Sequence, residues 1–208
     1  RGGLIAEAFV PFVRELSIIA TRDRTGDLRC YPLVENHHAG GILRRSIAPA
    51  PGITPDHQRR AETHARRLME AIDYVGTIAL ELFEVQDSGE QWIIANEFAP
   101  RVHNSGHWTI EGSRTSQFEN HILAIVGLPL GSTEMKPGVE RAVMLNLIGA
   151  APSPEHVLSV APDAHPHLYG KAARPGRKLG HITLLNPDDE TVTHLESLAP
   201  AFNAGAMV

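Results

Sequence analysis

Residues 76–98 hold two extended runs joined at a glycine turn, and each run carries an acidic residue at the same remove from that glycine. Gly76-Thr77-Ile78-Ala79-Leu80-Glu81-Leu82-Phe83-Glu84-Val85 and Gln91-Trp92-Ile93-Ile94-Ala95-Asn96-Glu97-Phe98 are rich in aliphatic and aromatic residues. Both read as strands, with Gln86-Asp87-Ser88-Gly89-Glu90 as the turn between them. A hairpin centred on Ser88-Gly89-Glu90 sets Glu81 directly opposite Glu97 on one face, with Cβ atoms roughly 4.5–5.5 Å apart, where like charges repel. A divalent cation between the two removes the conflict. Oxygen ligands that leave positions open for phosphates suit magnesium held with a nucleotide. Two solvated strand carboxylates satisfy the same pattern, so the neighbouring residues have to decide.

Those neighbours are Arg101, His103, Asn104 and His107, in the segment Ala99–Trp108 that leaves the strand carrying Glu97. Arg offers a fixed-charge fork for oxyanions and His exchanges protons near neutrality. A purely structural loop rarely needs four such groups beside two carboxylates. A second cluster, Lys171-Ala172-Ala173-Arg174-Pro175-Gly176-Arg177-Lys178, gathers four cations around a Pro-Gly turn. Their shared target is a phosphate, or the segment is an ordinary basic surface hairpin; RNA binding lacks the interleaved aromatics that bases stack on. His37 and His38 are adjacent on an extended segment and point to opposite sides, which argues against joint chelation. One of them contacting a ligand, or a hydrogen-bonded surface His, fits better. Glu7 and Glu15 flank Pro11 and in isolation read as surface carboxylates. Glu7-Ala8-Phe9-Val10 ends a strand, where free backbone groups beside apolar side chains can hold an adenine edge.

Elsewhere the chain alternates between the two periodicities. Leu4–Val10 reads as a short buried strand ended by Pro11, Arg14–Thr21 as a second strand and Leu28–Val34 as a third. Glu35–Leu43 reads as a polar segment and Pro49–Pro55 as loop. Thr54 caps a helix with Pro55 at its first position, and Ala61, Ala65, Leu68, Met69 and Ile72 form its apolar stripe. Arg59, Arg60, Arg66 and Arg67 lie off that stripe, as a solvated face. Ser116-Gln117-Phe118-Glu119 is a capping box opening a helix that ends at Gly127. Gly131–Gly138 reads as a linker, Val143–Ile148 as a strand, and the tail from Lys171 to Leu185 as a small sheet of its own. The class is α+β, in two domains, 1–130 and 131–208.

A net charge of −5 over 208 residues argues against general nucleic-acid binding. Cys30 is the single cysteine, so no internal disulfide forms and a reducing compartment is expected. No apolar run approaches the ~20 residues that span a bilayer, and no export leader is visible. A cytoplasmic, soluble protein is the expectation.

Together the segments Glu7–Val10 with Glu15, Tyr31–His38, Gly40–Arg44, Asn96–Trp108 and Arg174–His181 resemble the N5-carboxyaminoimidazole ribonucleotide synthetase family of the ATP-grasp superfamily, in order along nearly the whole chain. Asn96-Glu97-Phe98-Ala99-Pro100-Arg101-Val102-His103-Asn104-Ser105-Gly106-His107-Trp108 carries the resemblance most specifically. The resemblance implies a partial ATP-grasp fold with a small C-terminal β-rich domain. It implies a ligase of purine biosynthesis that uses ATP, Mg2+ and bicarbonate to carboxylate 5-aminoimidazole ribonucleotide, releasing ADP and phosphate. It further implies that Glu7, Ala8, Phe9 and Val10 line the adenine, with Glu15 on the ribose and His38 nearby. Glu81 and Glu97 would hold the metal with Asn96 beside them, although strict alternation puts Asn96 on the opposite face. Arg101, His103 and Asn104 would face bicarbonate and the aminoimidazole, and Lys171, Arg174, Arg177 and Lys178 the ribonucleotide phosphate. Members commonly form homodimers and carry an N-terminal domain and a glycine-rich lid ahead of the part matched here. The isolated 208-residue chain is therefore expected to have little or no activity. The competing readings are another ATP-grasp carboxylate–amine ligase and a non-catalytic nucleotide-binding module.

Overall fold

The computed structural model describes residues 3–198 apart from Ser88. Among these residues nine strands form one antiparallel sheet. The strands are β1 (Arg14–Arg22), β2 (Leu28–Cys30), β3 (Val34–Ala39), β4 (Ile42–Ala48), β5 (Gly76–Asp87), β6 (Glu90–Ala99), β7 (Ala142–Ile148), β8 (His165–Leu168) and β9 (Lys178–Leu185). Their spatial order is β6-β5-β1-β3-β4-β7-β9-β8, with β2 pairing β1. The helices are α1 (Pro55–Ala71), α2 (Thr109–Gly112), α3 (Gln117–Val126), α4 (Pro154–Val160) and α5 (Asp189–Leu198), with a 3-10 turn at Asn104–Gly106.

The central strand β1 is buried on both faces. Its even positions Leu16, Ile18 and Ala20 join Ile78, Leu80 and Leu82 of β5 beneath Ala61, Ala65 and Met69 of α1. Its odd position Ile19 packs with Ala79 and Trp108 on the other side. Because side chains alternate along a strand, Ser17 and its register partner Glu81 share that second face, away from α1. Both expected caps are present. Thr54 Oγ1 accepts from the His57 N–H, and the Ser116/Glu119 box is reciprocal, with Gly127 closing α3 in the left-handed region at φ 77°.

Three expectations fail. Leu4–Val10 is neither strand nor buried: Leu4, Ile5 and Phe9 are exposed, and no strand among the described residues pairs with them. Leu28–Val34 is broken at Tyr31-Pro32-Leu33, where Pro32 offers no backbone donor to a ladder. The polar segment Glu35–Leu43, to which no element was assigned, forms the turn and flanking residues of the β3–β4 hairpin, with Gly40 and Gly41 at φ 58° and 70°, values that glycine adopts without penalty. Finally, β8 and β9 do not form a sheet of their own. Residues Arg45–Ala48 of β4 pair with Ala142–Leu145 of β7, and β7 with β9, so the tail extends the same sheet.

Candidate functional site

The β5–β6 hairpin departs from the simple register at two places that compensate. Next to the turn, Gln86 pairs with Gln91 and Asp87 with Glu90, so the expected five-residue turn is a two-residue one, Ser88-Gly89; Ser88 itself lies outside the described residues. Continued unbroken, that register would set Glu97 opposite Leu80, on the α1 face. A bulge intervenes. Leu82 pairs with Ala95 but Leu80 with Phe98, so Asn96 and Glu97 together oppose Glu81. The extra residue returns Glu97 to the face of Glu81, and the two line one cleft of about 390 Å³ with His38, Gly41, Ile42, Leu43, His103, Gly176 and Lys178. Asn96, pushed aside by the bulge, lines a separate cleft of about 280 Å³ with Glu7, Ala8, Phe9, Val10 and Phe12.

The segment after β6 is held from behind. Gln117, wholly buried, accepts from the His103 N–H (2.9 Å) and donates to the His103 carbonyl (2.7 Å). Gly106 leaves room for it: a Cβ there would stand 2.7 Å from Gln117 Oε1. Trp108, fully buried, meets the Tyr31 ring edge-on at 6.4 Å. This anchoring aims His103 Nε2 at Glu81 Oε1, 3.2 Å away. Asn104 faces Lys178, whose Nζ donates to Asn104 Oδ1 at 2.8 Å. Behind Asn104, the Asn146 carboxamide of β7 completes a reciprocal pair (2.6 and 2.9 Å) and donates to the Leu43 carbonyl. Arg101 is exposed at the rim. His38 Nδ1 contacts Glu15 Oε2 at 2.6 Å, which joins two expected ligand contacts to each other. His37 points elsewhere, to Glu35. The four cations of the second cluster separate. Lys178 enters the cleft, Lys171 lies over the Tyr169 ring, Arg177 donates to the Ala172 carbonyl, and Arg174 is exposed.

Electrostatics follow from this crowding. Burial, and then the neighbouring Glu97, raise the pKa of Glu81 above the usual carboxylate value, against the attraction of His38 and Lys178. Burial lowers Lys178 from the ordinary lysine value, partly offset by Glu81. His103 is pushed down to about 4, chiefly by burial and then by Arg101 and Lys178; it is neutral at pH 7. Two acidic oxygen donors sharing one face fit a hard divalent cation that takes its remaining ligands from phosphates. Among the described residues no group of three or more His, Cys, Asp or Glu side chains forms an all-protein metal cage.

Sequence reasoning did not single out Asn146, Gln117, or the buried Ser17, Asn36 and Ser46 as parts of the site. Lone amides and hydroxyls inside strands, or at the start of a helix as with Gln117, carry no local signal. His167 and Tyr169, whose rings pack against His181, were likewise not singled out. The Gly40-Gly41 pair between strand-like runs was a readable hairpin signal.

Comparison with known proteins bears on this geometry. The ATP-grasp domain family matches residues 1–118, more than half of the chain. The chain belongs to the ATP-grasp family. Residues 142–195 also match the phosphoribosylaminoimidazole carboxylase C-terminal domain. The N5-carboxyaminoimidazole ribonucleotide synthase of Pseudomonas aeruginosa is 52% identical over 188 residues, 90% of this chain and 49% of that protein. The crystal structure of the Thermus thermophilus synthetase superposes with a TM-score of 0.86 at 55% identity, over 93% of this chain and 53% of the other. The Aspergillus clavatus synthase, solved with ADP and 5-aminoimidazole ribonucleotide, gives a TM-score of 0.77 at 35% identity, covering 93% of this chain and 52% of that one. This ATP-grasp chain thus spans about half the length of the relatives it matches.

Proposed function

We propose that this chain carries the metal and substrate side of a ligase that carboxylates 5-aminoimidazole ribonucleotide with bicarbonate at the expense of ATP, yielding N5-carboxyaminoimidazole ribonucleotide, ADP and phosphate in purine synthesis. The observation that carries the proposal is the β6 bulge, which returns Glu97 to the face of Glu81 beside His103 and Lys178. The match to synthases of that name, one of them solved with ADP and the aminoimidazole ribonucleotide, supports it. Glu81 and Glu97 would hold Mg2+. When bound, that ion neutralises charge on the triphosphate, the main requirement of phosphoryl transfer.

The chain's own side chains then have defined tasks. Glu7–Val10 and Asn96 line the adenine cleft, with Glu15 and the His38 that contacts it on the ribose side. Lys178, fixed by Asn104, and Arg101 at the rim attract and orient bicarbonate, and His103 donates a hydrogen bond to it. A bicarbonate oxygen attacks the γ-phosphorus, the bond to the bridging oxygen breaks, and ADP leaves. The substrate amine then takes the carboxyl group, losing a proton as phosphate departs. Lys171, Arg174 and Arg177 receive the ribonucleotide phosphate at the mouth. The two family matches, lying on either side of residues 119–141, support a division into 1–130 and 131–208. A homodimer and a cytoplasmic location belong to the same reading; no described helix is long and apolar enough to cross a membrane.

The test is ADP release by the whole protein that contains this chain. It should require both bicarbonate and 5-aminoimidazole ribonucleotide, and the 208-residue chain alone should give none. ADP release that ignores either substrate would overturn the reading.

A further inference from the structure

Behind His103 lies a file of buried polar side chains that do not line the cleft. Ser17, Ser46 and Ser105 are fully buried and Asn36 is nearly so. They occupy three neighbouring strands and the 3-10 turn, and Asn36 and Ser46 are cross-strand partners. Ser46 Oγ donates to Asn36 Oδ1 (2.8 Å), Asn36 Nδ2 to Ser17 Oγ (2.9 Å), and Ser17 Oγ to Ser105 Oγ (2.9 Å). Ser105 Oγ stands 2.9 Å from His103 Nδ1.

The direction of the last step is fixed by a separate contact. The backbone N–H of Ser105 also reaches His103 Nδ1, at 3.4 Å, and a backbone N–H can only donate. Nδ1 is therefore an acceptor, and the proton of the neutral ring sits on Nε2, the nitrogen facing Glu81. With Ser17 already donating to Ser105, the free proton of the Ser105 hydroxyl is directed to Nδ1, and every bond in the file points toward His103.

We propose that Ser46, Asn36, Ser17 and Ser105 form a one-way donor chain that holds His103 as its Nε2–H tautomer, so that His103 enters the cleft as a hydrogen-bond donor and not as a base. These four are positioning residues, acting through His103. The use of that donor toward a bound oxyanion rests on the function proposed above; the tautomer does not. Mere mutual satisfaction of buried hydroxyls would leave the chain free to run in either direction, and that is the distinction to measure.

The experiment is a two-bond 1H–15N correlation at neutral pH on the 208-residue chain with 15N-labelled histidine, the His103 signals being assigned by their loss in His103→Gln. The expected wild-type spectrum shows one tautomer, with Nε2 protonated and Nδ1 bare. Ser105→Ala, which leaves only the long 3.4 Å backbone N–H on Nδ1, should move the two ring-nitrogen shifts toward one another, and Ser17→Ala, which frees the Ser105 hydroxyl to turn away from the ring, should move them the same way by less. Ser105→Thr, which keeps the hydroxyl, should retain the wild-type pattern. Unmoved signals from the remaining histidines report that the fold is intact. If Ser105→Ala fails to fold, the wild-type spectrum and Ser17→Ala still decide. A wild-type His103 protonated on Nδ1, or an Nε2–H pattern unchanged in both alanine variants, overturns the proposal. The readout needs no nucleotide or bicarbonate, so its failure is separate from failure of the ligase reading.

Discussion

At the scale of single residues, the site concentrates groups whose charge the fold opposes. Glu81 is partly buried, faces a second carboxylate, and has its pKa raised. A group of this kind favours folding below its unfolded pKa and loses that contribution as pH rises through its folded value. Glu81→Gln should therefore melt higher than wild type near pH 7, with the gap closing in acid, while Mg2+-dependent nucleotide binding is lost; thermal unfolding at several pH values checks it. The histidines act in the opposite sense. Burial holds His103 and His107 at about 4 and His181 at about 3, against 6.5 for the free side chain. Their neutral forms support the fold fully above about 6.5, and that support is lost as pH falls toward 4, with a slope of about 1.4 kcal/mol per pH unit at most for each group. Urea midpoints should drop between pH 7 and pH 5, and His181→Phe, which keeps a ring in the stack, should lessen the drop. An unchanged slope in that variant would contradict the assignment.

At the scale of elements, the bulge in β6 and the Gln117 bracket are the two devices that assemble the cleft. Gly106→Ala puts a methyl group against a Gln117 that is already committed to both backbone groups of His103. The expected cost is about 1–3 kcal/mol, as for overpacking in a dense interior, accompanied by shifts of the His103 and His107 resonances in excess of those elsewhere. A variant as stable as wild type with an undisturbed His103 would remove Gln117 from its proposed role. The elements also show where pattern reading stops. The α1 and α3 caps, the paired carboxylates and the loop after β6 were legible because each is written in contiguous residues. The bulge was not: even spacing around Gly89 puts Glu81 and Glu97 together for the wrong reason, since the two-residue turn sets the register one residue off and the extra residue at Asn96 makes up the difference. Leu4–Val10 has the composition of a strand, but composition says nothing about whether a partner strand exists.

At the scale of the whole molecule, the sheet runs unbroken from β6 to β8, and the cleft draws Glu81 and Glu97 from one part of it and Lys178 from another. The β4–β7 pairing that joins them links residues about a hundred apart in sequence. Local alternation announces that β7 is a strand; it does not choose its neighbour, which is why the tail read as a separate sheet. That pairing has a functional consequence. It carries Asn146 behind Asn104 and, through β9, Lys178 to the carboxylates, so the ATP-grasp portion and the C-terminal portion share a single cleft.

Binding of Mn2+–ADP to the whole protein, with Mn2+ standing in for magnesium, tests the central claim most directly when wild type and Glu97→Gln are compared by calorimetry. If Glu97 holds the metal, the variant loses at least tenfold in affinity, about 1.4 kcal/mol, with metal-free ADP bound equally by both. Equal affinity of the two proteins for Mn2+–ADP would contradict that role.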